Sequence, residues 1–363
     1  MSPVRQPASV DPVDIDFGVL DGWMREQGLP GDDFADVEQL GGGTQNVLIR
    51  FRRGGRTYVL RRGPRHLRRR SNDQMRREAR VLGALDGTGV RAPRPIAACL
   101  DETVMHGAVF YLMEPVEGFN ASVELPEPYA TDPTWRHAMG VDAAVALAEL
   151  GAVDHLAIGL GDVGYPDGFL ERQVGRWLKE LDSYSQLDGY PGPEIPGVQR
   201  VADWLAANVP SAWQPGIMHG DYHLANLMYA YDAPRVAAIV DWEMCTIGDP
   251  LLDLGWVLAT WPEEDGDPDD GDRPGLVALA GGLARPPELV AAYADRTDRD
   301  LAHLTWYAVM ACYKLGIVLE GSHARAFAGL ATKEIGDRLH ARTLSLFRRA
   351  HTFIDSGTWE AVR

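Results

Sequence analysis

Between Ile217 and Glu243 two short apolar runs each end in oxygen-bearing side chains: Ile217-Met-His-Gly-Asp221, carried on to Asn226, and Ala238-Ile-Val-Asp241-Trp-Glu243. Asp221 and Asn226 stand five positions apart on a stretch that Gly220 and the following Leu-Ala-Asn mark as a loop. The second run reads as a short strand delivering Asp241. The three side chains are expected to converge on one place. Such a set suits phosphoryl transfer from a magnesium nucleotide, which needs a carboxylate to orient the attacking hydroxyl and take its proton, and hard oxygen ligands for Mg²⁺. Asp221 fits the first role, Asn226 and Asp241 the second. Alone, Gly-Asp followed by Asn is a turn and Asp after a strand a helix cap. The ordered pair of motifs, with apolar runs on both sides, argues for chemistry.

At these residues the chain resembles the aminoglycoside phosphotransferase-like kinases, relatives of the protein kinases and of choline kinase. His219-Gly-Asp221 stands where protein kinases have His-Arg-Asp, Asn226 keeps the family's distance from the Asp, and Asp241-Trp-Glu243 stands where they have Asp-Phe-Gly. His223 takes the place of the catalytic-loop lysine and joins Asp221 as a catalytic candidate. The resemblance implies an α+β, bilobal protein-kinase-like fold: a small β-rich N-lobe with one regulatory-type helix and a large, mainly α-helical C-lobe. A rival reading is a zinc hydrolase, with His219, Asp221 and His223 as metal ligands. It requires that segment to be a strand, so that alternate side chains point one way.

The chain has 363 residues with 45% hydrophobic content, enough for a bilobal unit with ample core. Its 35 basic and 52 acidic residues leave a net charge of −17, which disfavours nucleic acid or an anionic membrane as partner. Cys99, Cys245 and Cys312 lie far apart without ligand spacing, which points to a reducing compartment, the cytoplasm. Residues 1–14 read as a disordered lead without the apolar core of a signal peptide.

Residues 15–113 form the expected N-lobe. After a short helix over Ile15–Gln27, strands at Val37–Leu40 and Asn46–Phe51 flank Gly41-Gly42-Gly43-Thr44-Gln45, whose glycines allow backbone amides to approach phosphates. The resemblance makes this the nucleotide-covering loop, with Gly42, Gly43, Thr44 and Gln45 as cofactor-binding candidates. A third strand ends Val59-Leu-Arg61-Arg62, where a protein kinase has Val-Ala-Ile-Lys. Arg61 is the best match to the lysine, as a catalytic and phosphate-positioning residue, although the sequence leaves Arg62 open. In the next helix, Gln74–Leu85, Glu78 falls in line with the apolar stripe of Met75, Leu82 and Leu85 and needs a partner. The resemblance supplies Arg61. Arginines at 62, 65, 68, 69, 70, 76, 77 and 80 are read either as a solvated loop or as an anion site.

Strands near Ile96–Leu100 and Val109–Met113 lead into Met113-Glu-Pro-Val-Glu-Gly118. By resemblance 114–118 is the hinge, with backbone groups of Glu114 and Val116 on the adenine. The C-lobe, 119–363, is expected to be helical, with helices over Trp135–Val153, Leu301–Leu319 and Thr343–Phe353. Gly168–Lys179 is similar to a segment of the branch that includes kinase domains fused to acyl-CoA dehydrogenases. Asp253, set among Leu251, Leu252, Leu254 and Trp256, must be hydrogen-bonded if buried, and the resemblance to kinases implies that it braces His219 and Gly220. Asp249 reads as the cap of a turn, the acidic stretch 263–272 as a solvated loop or a lid, and Trp306, Tyr307 and Tyr313 as core or acceptor pocket. The reading is an ATP- and Mg²⁺-dependent kinase of a small-molecule hydroxyl, aminoglycoside-like or metabolic, such as a hydroxyacyl-CoA. A non-catalytic ATP-binding pseudokinase is the alternative that the arginine in place of lysine favours.

Overall fold

In a computed structural model, residues 15–41, 46–64, 66–262 and 275–357 are described. They fall into two compact units, one of 15–117 with 238–243, the other of 118–237 with 244–357. The expected lead, residues 42–45, Arg65 and the acidic stretch 263–272 lie outside the described residues.

The first unit contains helix α1 (Phe17–Glu26), strands β1 (Ala35–Gln39), β2 (Val47–Arg53) and β3 (Arg56–Arg62), helix α2 (Ser71–Leu85), and strands β4 (Pro95–Cys99) and β5 (Phe110–Met113). The five strands form one sheet in the order β1-β2-β3-β5-β4, all neighbours antiparallel. Alternation along β2 sends Val47, Ile49 and Phe51 inward, where Leu20, Trp23 and Met24 of α1 join them with Tyr58, Leu60, Phe110 and Leu112. Arg53 is buried with them. Its Nη1 donates to Leu29 O at 3.0 Å and its Nη2 meets Asp21 Oδ1 at 2.5 Å, so α1 is tied to the sheet by charge as well as by apolar area. Helix α2 begins three residues earlier than its apolar period suggests. Asn72 Nδ2 donates to Gly107 O at 2.8 Å and its Oδ1 accepts from Val109 N at 3.0 Å, fastening the first turn to the start of β5.

The second unit is mainly helical: β6 (Phe119–Asn120), α3 (Pro133–Gly151), α4 (Glu171–Ser183), α5 (Val198–Ala207), β7 (Gly216–Met218), β8 (Leu227–Tyr229), β9 (Val236–Ile239), β10 (Thr246–Gly248), α6 (Leu251–Thr260), α7 (Leu276–Ala280), α8 (Pro286–Ala294), α9 (Leu304–Phe327) and α10 (Lys333–Ser356). Two small sheets, β10-β7 and β6-β8-β9, hold the ends of the segment from 216 to 248. The last two residues of β9 already count with the first unit, as do Val240–Glu243, which the sequence reading left with the large lobe. Ile239 N–H donates to Arg91 O at 2.7 Å and thereby enters the first unit's bonding.

Helices α9 and α10 both outrun their expected lengths, Leu301–Leu319 and Thr343–Phe353. Their apolar patterns stop where polar side chains, Glu320 and His340 among them, take partners inside the unit instead of solvent. Trp306, Tyr307 and Tyr313 are core, each 2% exposed or less. Among the described residues no helix is long and apolar enough to cross a membrane.

Candidate active site

In the first unit Arg61 bridges two carboxylates. Its Nε lies 3.0 Å from Glu78 Oε2 and its Nη2 2.6 Å from Asp241 Oδ1. The pleat settles which arginine faces this way: Arg61 makes both ion pairs, while the neighbouring Arg62 side chain belongs to the other face of β3 and is buried there. Burial of Glu78, whose side chain is 2% exposed, pushes its carboxyl above the ordinary value against the pull of Arg61. Burial also works against the Arg61 charge, but Glu78, Tyr111 and Asp241 raise it beyond the usual arginine value, so the guanidinium stays ionised.

Asp241 has φ +66°, in the left-handed region that asparagine and aspartate visit most readily among residues with a Cβ. That strain is held by its neighbours: Arg61 grips the carboxylate, Asn46 Nδ2 donates to Glu243 Oε2 at 3.2 Å, and the Arg77 guanidinium binds Glu243 O. Glu243 and Arg77 were not singled out for this part by the sequence. The Asp241 side chain remains 40% exposed, able to take a cation.

In the second unit, β7 delivers His219 and Gly220 to Asp253 of α6. Both backbone amides donate to that carboxylate, His219 N at 2.6 Å and Gly220 N at 2.9 Å. Gly220 has φ +85°, and a Cβ there would stand 2.5 Å from Met244 O, so only glycine fits. The turn it allows places Asp221 beside Asn226. Asn226 Nδ2 donates to Asp221 O at 2.9 Å and to Asp221 Oδ2 at 3.0 Å, which leaves its carbonyl oxygen as the atom suited to a metal. His223 Nδ1 accepts from Ala225 N at 3.3 Å, and its Nε2 lies 3.4 Å from Asp221 Oδ2 and 3.3 Å from Asn226 Nδ2.

Burial pushes the Asp221 carboxyl up, but the His223 hydrogen bond and the charges of His223, His219 and Lys314 outweigh it and hold the group at about 2. A base that stays ionised at neutral pH with one-third of its side chain exposed can meet a hydroxyl. Burial lifts Asp253 to about 7, against its two backbone donors and Lys314.

Lys314 is the residue that sequence reasoning missed. Within α9 it looked like a polar interruption of an apolar run. Its ammonium donates to Gly220 O at 3.3 Å, and lies 4.4 Å from the Trp256 ring and 5.8 Å from Trp177. Burial lowers its pKa while Asp253 and Asp221 oppose the shift. Asp249 accepts from Leu251 N at 3.1 Å at the start of α6 and also takes the Tyr307 hydroxyl.

Gly42, Gly43, Thr44 and Gln45 lie outside the described residues. Glu114 N–H is committed to Arg94 O at 2.9 Å and its carboxylate pairs with Arg56 at 2.8 Å, so an adenine contact from Glu114 falls to its carbonyl oxygen; Val116 follows two residues on. The zinc reading fails on geometry. His219-Gly-Asp-Tyr-His223 is a loop rather than a strand, with His219 fully buried, and among the described residues three donor atoms lie within 4.8 Å of one another at Glu320, His323 and His340 alone. The Asn226 carbonyl and the Asp241 carboxylate are hard oxygen donors, which fit Mg²⁺ better than a softer metal.

The profile of the phosphotransferase enzyme family matches residues 36–304. A solved structure from Ralstonia eutropha JMP134, described as a candidate aminoglycoside phosphotransferase, is 30% identical, with a TM-score of 0.75, covering 93% of this chain and 99% of that one. The GDP complex of wild-type aminoglycoside 2'-phosphotransferase-IIIa has a TM-score of 0.60 at 14% identity, covering 93% and 98% of the two chains, and shows the shared α+β, protein-kinase-like fold. Among curated proteins, acyl-CoA dehydrogenase family member 11 of Gallus gallus is 29% identical over 306 residues, 82% of this chain and 38% of its own length. The human protein of that name is 28% identical over 303 residues, 82% and 37%. The chain thus spans under two fifths of the length of these curated relatives.

Proposed function

The chain belongs to the phosphotransferase enzyme family, and from that premise we propose that it transfers the γ-phosphoryl group of ATP to a hydroxyl of a small molecule. The observation that carries this reading is the Asp221–Asn226 pair on the loop that Asp253 ties down, with Asp221 ionised and partly exposed. Asp221 orients the acceptor hydroxyl and takes its proton as the oxygen attacks the γ-phosphorus and the bond to the ADP oxygen breaks. His223 hydrogen-bonds and steadies the Asp221 carboxylate. Arg61, aimed by Glu78, positions phosphate oxygens through its planar fork. Asn226 and Asp241 are the residues to hold Mg²⁺, which when bound neutralises phosphate charge. Gly42, Gly43, Thr44 and Gln45 cover the nucleotide, and Glu114 and Val116 meet the adenine.

For the acceptor we favour a metabolic hydroxyl such as a hydroxyacyl-CoA. The curated relatives carry acyl-CoA dehydrogenase names, and phosphate-bearing acceptors suit the arginines between β3 and α2. The Ralstonia eutropha neighbour supports an aminoglycoside instead. The buried free cysteines suit a reducing compartment, and we take the cytoplasm as the place of work. The test is phosphate transfer from labelled ATP to hydroxyacyl-CoA esters, aminoglycosides and choline-like amines. Phosphorylated hydroxyacyl-CoA supports the first reading; a phosphorylated antibiotic alone replaces the acceptor but keeps the chemistry. Tight ATP binding without transfer to any member would favour the pseudokinase, for which the arginine in place of lysine is the supporting observation.

A further inference from the structure

The polar side chains on the late turns of α9 form a second constellation that phosphoryl transfer does not use. Glu320 and His323, three residues apart on one face of α9, meet His340 of α10, and a donor atom from each lies within 4.8 Å of the other two. Glu320 is fully buried. Its Oε2 lies 2.7 Å from His340 Nδ1, and its Oε1 accepts the Tyr190 hydroxyl at 2.6 Å. The imidazoles of His323 and His340 stack at 4.4 Å with 22° between their planes.

A hydrogen-bonded Tyr190–Glu320–His340 chain accounts for the carboxylate, but it does not account for His323. That ring's Nδ1 is buried and has no hydrogen-bond partner. An orphaned buried nitrogen is destabilising unless something takes it. One cation held by a donor atom from each of Glu320, His323 and His340 would give His323 the partner it lacks.

We propose that Glu320, His323 and His340 form a binding site for a borderline divalent cation of the Zn²⁺ class, clasping α9 to α10. Two imidazoles and one carboxylate are a ligand set for Zn²⁺ rather than Mg²⁺. Bonds of about 2.0–2.1 Å at tetrahedral angles put donors about 3.4 Å apart. The Glu320–His340 pair, 2.7 Å apart, therefore opens by about 0.7 Å as His340 gives up its Nδ1 proton, and His323 closes in. Tyr190 then serves as the outer partner that fixes the ligating carboxylate. The His340 side chain, 20% exposed, gives the ion a way in.

The test uses the whole chain, stripped with chelator and kept in excess Mg²⁺ so that other oxygen sites are filled. Titration with Zn²⁺, and with Co²⁺ as a spectroscopic probe, is expected to show one equivalent bound, visible Co²⁺ absorption of a low-coordinate N/O site, and a raised Tm. His323→Phe keeps an aromatic ring for the stack and removes both ring nitrogens, so it should still fold, with its own metal-free Tm as reference, yet lose the absorption and the Zn²⁺-dependent rise. Glu320→Gln keeps the Tyr190 partner and should likewise abolish the signal, whereas Tyr190→Phe should weaken affinity about 10–100-fold. No Co²⁺ signal in the wild type, or one undiminished in both His323→Phe and Glu320→Gln, would overturn the site. Phosphotransfer should be the same in wild type and His323→Phe, which keeps the fate of this proposal separate from that of the catalytic reading.

Discussion

Arg61 and Glu78 meet at 3.0 Å with the glutamate side chain 2% exposed, so each ion depends on the other for a tolerable buried state. Arg61→Ala leaves a carboxylate buried without its cation and should cost about 3–5 kcal/mol of stability in denaturant melts. The double variant Arg61→Ala/Glu78→Ala should cost less than the sum of the singles, with a coupling of about 1–3 kcal/mol. Additive losses would mean the two charges do not lean on one another.

Asp241 has left-handed backbone, so its role is best probed by Asp241→Asn, which tolerates the same φ and removes only the charge. Calorimetry should find Mg²⁺-ATP binding weakened about 10–100-fold, with nucleotide binding in EDTA nearly unchanged. Equal losses with and without Mg²⁺ would point to a folding defect instead of a metal role.

Burial lifts Asp253 from an ordinary 3.8 to about 7. From about pH 4 to 7 the folded chain keeps a proton that the unfolded chain has released. The contribution of this group is therefore complete below pH 4 and declines as pH rises to 7, by at most ~1.4 kcal/mol per unit. The stability of the wild type relative to Asp253→Asn should fall across that window and level off above it. A difference constant with pH would show that Asp253 is ionised throughout.

Lys314 is one of the cations that hold Asp221 at about 2. Lys314→Met keeps the length of the side chain and removes its charge. In a ¹³C titration the Asp221 carboxyl should then move up toward its ordinary value, whereas an unmoved titration would reduce Lys314 to packing against Trp256.

How much of this was legible before any coordinates differs residue by residue. The apolar lead-ins to Asp221 and Asp241 and the need of Asp253 and Glu78 for partners follow from local pattern, because each is a polar group set in an apolar neighbourhood; that Asp253 braces His219 and Gly220 came from the resemblance to kinases. Alternation along β3 says that Arg61 and Arg62 point opposite ways, but which one meets α2 depends on the sheet's register, Arg61 opposite Tyr111. Lys314 was hidden because one cation in a buried helix has no local signature; its meaning comes from Gly220, 94 positions away. The late turns of α9 were lost for the same reason, since Glu320 and His323 meet His340, a residue of α10 distant in sequence.

The central claim is that Asp221 is the base in phosphoryl transfer, and single-turnover transfer by Asp221→Asn tests it most directly. With the acceptor identified by the screen, the rate should fall about 10²–10⁴-fold while Mg²⁺-ATP affinity stays within about threefold, because the base acts chiefly in the transition state. Transfer at the wild-type rate by this variant would contradict the account.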